Sequence, residues 1–143
     1  MLAKTDWAHL IPHQGTMCLL DAVVAWDKTG VHAITESHAR GDCPLRGPHG
    51  LHAIHLAEYG AQAMAVHGAL LARQRGATTA RPGRLVSVRD VVLAVEYVAE
   101  TSRLDVHAQC LYADDAGAQY GFRVEQDGHV LASGRAAVIH PVS

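Results

Sequence analysis

Apolar and polar positions along the chain separate into strand-like and helix-like stretches. Cys18 to Trp26 is a short, β-branched apolar run, Asp27-Lys28-Thr29-Gly30 supplies turn residues, and Val31 to Thr35 alternates again. That pattern predicts two strands joined by a tight turn. Residues 38–50 are rich in Gly, Pro and charge and predict a loop. From Leu51 to about Arg75, Ala, Leu, Met and Gln dominate, all good helix formers. The segment is apolar on nearly every side, as expected of a helix buried in a core. Pro48 stands just ahead of it, where a missing N–H costs least, and Gly76 to Gly83, with Pro82, ends it. Leu85 to Leu93, Arg103 to Tyr112, Gln119 to Gln126 and Val130 to Ile139 then read as strands. Asp114-Asp115-Ala116-Gly117 is a turn, and Asp127-Gly128 is a strong hairpin dipeptide. One helix cannot cover both faces of a sheet. The order therefore predicts an α+β fold, an antiparallel sheet curling around one long helix.

Composition narrows the function classes. A chain of 143 residues suits one domain, residues 1–143, and about half of them are apolar, enough for a proper core. The net charge of -2 and the lack of a basic run argue against nucleic acid as a partner. No apolar stretch reaches the roughly 18 residues of a membrane span. Met1 to Asp6 lacks the apolar core of a signal peptide. Cys18, Cys43 and Cys110 are odd in number and show no metal-ligand spacing, which points to a reducing cytoplasm.

The polar residues of the helical stretch concentrate in its first half. His52, His55, Glu58 and Gln62 are spaced to share one helix face, but the stripe stops at the apolar Ala65, Val66 and Ala69. A solvated face would run the full length, so the truncated stripe suggests a polar pocket at one end of a buried helix. Burial would raise the pKa of Glu58 and make it a proton donor; the plainer alternative is a helix-edge glutamate facing water. His52, His55 and Glu58 match no specific zinc signature, and no metal is expected. His13 lies in an irregular turn set by Pro12 and Gly15. It reads either as a positioned base near neutral pH or as an ordinary loop histidine.

Leu10-Ile11-Pro12-His13, with Met17-Cys18-Leu19-Leu20-Asp21, resembles the opening motif of the 3-hydroxyacyl-[acyl carrier protein] dehydratases. Glu58-Tyr59-Gly60-Ala61-Gln62-Ala63 resembles their helix motif. Ser37-His38, Pro44-Leu45-Arg46, Ser87-Val88-Arg89-Asp90 and Ala132-Ser133-Gly134-Arg135-Ala136 bring the chain closer to the small predicted dehydratases of aryl polyene-type pathways. The resemblance spans nearly the whole chain. It implies the hot-dog fold, a homodimer with sites at the subunit interface, and an acyl thioester substrate carried by acyl carrier protein or coenzyme A. One departure stands out. The resembled family has its catalytic histidine fourteen residues before the glutamate, and here that position is Pro44.

Dehydration of a 3-hydroxyacyl thioester needs a base for the C2 proton, an acid for the leaving hydroxyl and a group to polarise the carbonyl. On this reading His13 replaces the missing base, with His38 and His49 as weaker substitutes, and Glu58 is the acid. Backbone N–H groups of Gly50 and Leu51, at the expected helix start, bind the carbonyl oxygen. Gln62 holds the Glu58 carboxyl or merely packs there. His38 and Arg46 contact the substrate or its carrier, Arg46 through a phosphate. No cofactor is needed. Two alternatives stay open: a thioesterase of the same fold, in which Glu58 activates water, and a non-catalytic acyl-binding subunit.

Overall fold

Alternation of buried and open positions sets the large sheet. In β8 (Gly117–Gln126) Tyr120, Phe122 and Val124 are buried, while Gly121, Arg123 and Glu125 face the other way. The computed structural model describes residues 1–76 and 83–140. The remaining elements are β1 (Leu2–Ala3), α1 (Lys4–Trp7), β2 (Ala22–Trp26), β3 (Gly30–Thr35), β4 (Leu51–His52), α2 (Leu56–Gln74), β5 (Arg84–Leu93), β6 (Tyr97–Val98), β7 (Leu104–Ala113) and β9 (His129–Ile139). Seven strands form one sheet in the order β1-β2-β3-β7-β8-β9-β5, and β4 pairs separately with β6. Every pairing is antiparallel. Helix α2 packs on the inner face of β3, β7, β8 and β9, burying Leu56, Tyr59, Met64, Val66 and Leu70 against Val31, Ala33, Val106, Tyr120 and Val124. This is the antiparallel sheet around one helix that the pattern predicts. No helix among the described residues is long and apolar enough to cross a membrane.

Two boundaries differ from the sequence reading, for physical reasons. The helix begins at Leu56, not Leu51. Leu51 and His52 pair instead with Val98 and Tyr97, the Ala53 N–H donates to the Glu96 carbonyl, and a 3-10 turn at Ala53–His55 leads into α2. The first strand begins at Ala22 rather than Cys18. Residues 17–19 have main-chain groups engaged by side chains of α2, of Thr35 at the end of β3 and of Ser37 just after it, so no neighbouring strand pairs with them. At the other end of α2, Gly76 takes φ +88, a left-handed helix stop, as its position suggested. The rest of that predicted stop, residues 77–82, lies outside the described residues. The Asp127-Gly128 turn has both φ values positive, 52 and 82, and closes the β8–β9 hairpin as its dipeptide implies.

The buried His67 is paired through both ring nitrogens. The His67 ring bridges the Asp27 carbonyl (Nε2, 2.8 Å) and the Tyr120 hydroxyl (Nδ1, 2.7 Å). A carbonyl only accepts, so Nε2 carries the proton and the Tyr120 O–H donates to Nδ1. Burial lowers the His67 pKa, in keeping with this neutral tautomer. Phe122, the sole phenylalanine, is wedged between α2 and β9. A Cβ on Gly60 would stand 2.6 Å from its ring, and one on Gly134 2.9 Å away. Gly60→Ala is expected to cost about 1–3 kcal/mol through overpacking, read as a lower urea midpoint. An unchanged midpoint would show that Phe122 withdraws freely.

The sheet leaves one long edge open. β5 is terminal in the strand order, and Leu85, Val86, Val88 and Val92 along it are exposed. An apolar edge strand of ten residues is a template for pairing with another chain.

Candidate active site

Helix α2 brings Glu58 and Gln62, one turn apart, toward the segment that runs from His13 to Leu19. His13 Nε2 lies 3.4 Å from Glu58 Oε1. Gln62 is fully buried and ties the two segments together. Its Nε2 donates to the Met17 carbonyl at 2.6 Å and more weakly to Glu58 Oε1 at 3.5 Å. Its Oε1 accepts the Leu19 N–H at 2.8 Å. One amide thus fixes the loop against the helix and steadies the carboxylate. Gln62→Leu keeps the volume but strands the buried Leu19 N–H and Met17 carbonyl. A loss of about 1–3 kcal/mol of stability is expected, with a fall in turnover as the His13 loop loosens. Unchanged unfolding and unchanged kinetics would contradict that positioning role.

The segment has further ties. Thr35 and Ser37 hydroxyls both donate to the Leu19 carbonyl, and Ser37 Oγ lies 3.2 Å from the Tyr59 hydroxyl. Arg40 grips Asp21 through two hydrogen bonds of 2.9 Å each. Partial burial pushes the Asp21 carboxyl up, but Arg40 and the Glu36 N–H outweigh it and hold the pKa low. Lys4 Nζ donates to the Cys18 carbonyl at 2.9 Å. The spacing reading missed this scaffold, because its partners are mostly main-chain groups and segments far apart in sequence.

Electrostatics changes the reading of Glu58. Its side chain is 36% exposed, not largely buried, and its pKa is lowered rather than raised. The contact with His13 is the main cause, partial burial opposes it, and Gln62 assists. The sequence expectation failed because the loop supplies a partner close enough to outweigh desolvation. The His13 side chain is 24% exposed, but its Nδ1 is sealed from solvent and has no hydrogen-bond partner among the described residues. Nε2, facing Glu58, is the accessible nitrogen.

Apart from Gln62, the other residues singled out from the sequence make no hydrogen bond or ion pair with His13 or Glu58 among the described residues. Gly50 takes φ +100 in the tight turn that begins at Gly47, and its N–H donates to the Gly47 carbonyl at 3.1 Å. Leu51 is buried in the β4–β6 pair. Neither stands at the start of α2, so the helix-dipole argument for them does not hold. His38 is buried, and its Nε2 lies 3.2 Å from the Glu100 carbonyl. Burial lowers its pKa. Arg46 is exposed, with one long contact of 3.5 Å to the Ala39 carbonyl. His49 is exposed and meets the edge of Tyr97. His52 also packs on Tyr97, and its Nδ1 accepts the Ile54 N–H, so it is not on the helical face of Glu58.

A family model described as ApeP-like, ApeP dehydratase, matches residues 5–143. The chain belongs to the ApeP-like dehydratase family. Among solved structures, the dehydratase heterocomplex ApeI:P from Xenorhabdus doucetiae superposes with a TM-score of 0.86 at 25% identity, covering 95% of this chain and 91% of that one. A putative thioesterase from Shewanella oneidensis matches at TM-score 0.63 and 13% identity, covering 97% and 94%. A mutant of the phenylacetic acid degradation protein PaaI from Thermus thermophilus matches at 0.60 and 19%, covering 83% and 91%. These two likenesses show the hot-dog fold alone. No curated protein matches in sequence. The ApeP-like chain is thus a dehydratase-family protein of hot-dog fold, as its motifs implied.

Proposed function

We propose that this ApeP-like chain removes water from 3-hydroxyacyl thioesters, using His13 and Glu58 as one proton-handling pair. The observation that carries the reading is the 3.4 Å approach of His13 Nε2 to the Glu58 carboxylate. Elimination needs a neutral imidazole and a protonated carboxyl. That state has the same proton count as an imidazolium facing a carboxylate, so the two differ only in where one proton sits between the partners. In the free chain the half-exposed Glu58 favours the ionised form. A bound acyl chain displaces water from the carboxyl, and desolvation favours the neutral tautomer.

His13 Nε2 then takes the C2 proton. The C2–H electron pair becomes the C2–C3 π bond, the C3–O bond breaks, and the Glu58 proton leaves with the hydroxyl as water. The pair ends as imidazolium and carboxylate, and proton return from His13 to Glu58 resets it. Gln62 keeps the two segments in register throughout. No step calls for a cofactor. The exposed Arg46 suits a phosphate of the thioester carrier, whether acyl carrier protein or coenzyme A.

The open β5 edge supports pairing with a second hot-dog chain. The ApeI:P structure is a heterocomplex, so the partner here is either a second copy or a related chain. Sedimentation of the pure chain at micromolar concentration separates the two: a dimer supports self-pairing, and a monomer that dimerises only with a related chain supports hetero-pairing.

One observation favours a second reading. An ionised, partly exposed Glu58 is also suited to activating water, as in a thioesterase of this fold. The two separate in an assay that follows the ultraviolet absorbance of the conjugated enoyl thioester with a thiol reagent present. Absorbance without thiol release is the expected result; thiol release without conjugation would replace the dehydratase reading.

A further inference from the structure

The outer face of the sheet, away from α2, carries an open groove of about 600 Å³ lined by none of His13, Glu58 or Gln62. Strand register arranges this face in three rows. Asp105 and Glu125 are cross-strand partners in the first row. His32, His107, Arg123 and Ser133 align in the second. Gly30, Gln109, Gly121 and Arg135 align in the third.

The acidic row buttresses the second. His32 Nε2 lies 2.7 Å from Asp105, which Arg103 also approaches at 3.3 Å. Glu125 accepts from Arg123 Nε at 2.7 Å and faces His107 Nε2 at 3.6 Å. The two imidazoles stack with ring centroids 4.2 Å apart. Glu125 engages Nε of Arg123 and leaves its terminal nitrogens to the groove. The third row is the trough. Gly30 admits close strand approach, since a Cβ there would meet the Ala108 carbonyl oxygen at 2.7 Å. A Cβ on Gly121 would meet nothing nearer than Leu111 Cδ1 at 3.9 Å, so Gly121 leaves space rather than filling a packed site.

Arg135 is exposed at the end of that trough and has no hydrogen-bond or ion-pair partner among the described residues. Arg89 stands directly opposite it on β5, also without a partner there. Like charges set cross-strand destabilise each other unless an anion joins them. Arg123 and Arg135 are diagonal neighbours on one face, close enough for long side chains to converge. The half-exposed Leu111 adds apolar lining. Asp27 lines the groove too, but its Oδ1 is occupied by Thr29 and Gly30 of its own turn.

We propose that this groove binds a phosphate monoester bearing an apolar or aromatic substituent, the phosphate held between Arg123 and Arg135. A phosphate monoester offers three terminal oxygens and close to two negative charges to the two guanidinium groups, against two oxygens and one charge for a carboxylate. The substituent lies over Gly121 toward Leu111.

Calorimetric titration of the full chain with phenyl phosphate tests the proposal. Saturable binding is expected, weaker for benzoate and for inorganic phosphate. Arg123→Gln and Arg135→Gln should each weaken it by at least about tenfold, the effect of losing a charged hydrogen-bonding partner. Gly121→Val, whose Cβ meets nothing nearer than 3.9 Å, should abolish it while leaving the unfolding midpoint and turnover in place. Glu58→Gln should leave it unchanged. Absence of saturable binding to the wild type, equal affinity in Gly121→Val, or loss in Glu58→Gln would overturn the proposal.

Discussion

Glu58→Gln should lower turnover by about a hundredfold to ten-thousandfold, the usual cost of losing a positioned acid. Glutamine keeps the side-chain length and its contacts with His13 and Gln62, but it supplies no proton. The fold should persist, because the side chain is partly exposed and the core contacts of α2 do not involve it. Circular dichroism and sedimentation check that point. Stability at low pH should separate the two proteins in a definite direction. The Glu58 carboxyl is held below its ordinary pKa, so its contribution is present above the unfolded-state value. That contribution disappears as pH falls through the folded-state value. The variant lacks this acid-sensitive part, so the stability difference narrows on acidification. Near-normal dehydration by Glu58→Gln would remove Glu58 from the mechanism.

His13→Ala should cost a similar factor and change the titration of its partner. His13 is the main group lowering the Glu58 pKa, so removing it should raise that pKa. A carboxyl-carbon NMR titration of Glu58 reads the shift directly, independently of turnover. The double variant should be little worse than either single one, because both groups act on one transition state. Additive losses, or a Glu58 titration indifferent to His13, would show that the two do not work as a pair.

The sequence made the fold legible because its signals are periodic and local. The buried alternation of β8, the Asp127-Gly128 turn and the apolar run through α2 all specify structure from near neighbours. Legibility failed where side chains capture main chain across long separations. Gln62 reaches Met17 and Leu19, more than forty positions away, and that capture turns Cys18–Asp21 from strand into a fixed loop. Residues 51–55 have helix-forming composition, but Leu51 and His52 are drawn into a strand pair by Tyr97 and Val98. The same limit governed the site. Spacing pointed to Glu58 and Gln62, and motif resemblance pointed to His13. The direction of the Glu58 shift depended on a contact that no helical period encodes. Gly50 and Leu51 came from the expected helix start and His38 and Arg46 from motif position, and their hydrogen bonds tie them to their own surroundings.

The most direct measurement is the mass of the product formed from a 3-hydroxyacyl thioester fully deuterated at C2. The expected product is the enoyl thioester, formed by the wild type with loss of one C2 deuterium and the hydroxyl, and not formed by Glu58→Gln. Release of a free 3-hydroxy acid that retains both deuterium atoms would contradict dehydration by the His13–Glu58 pair.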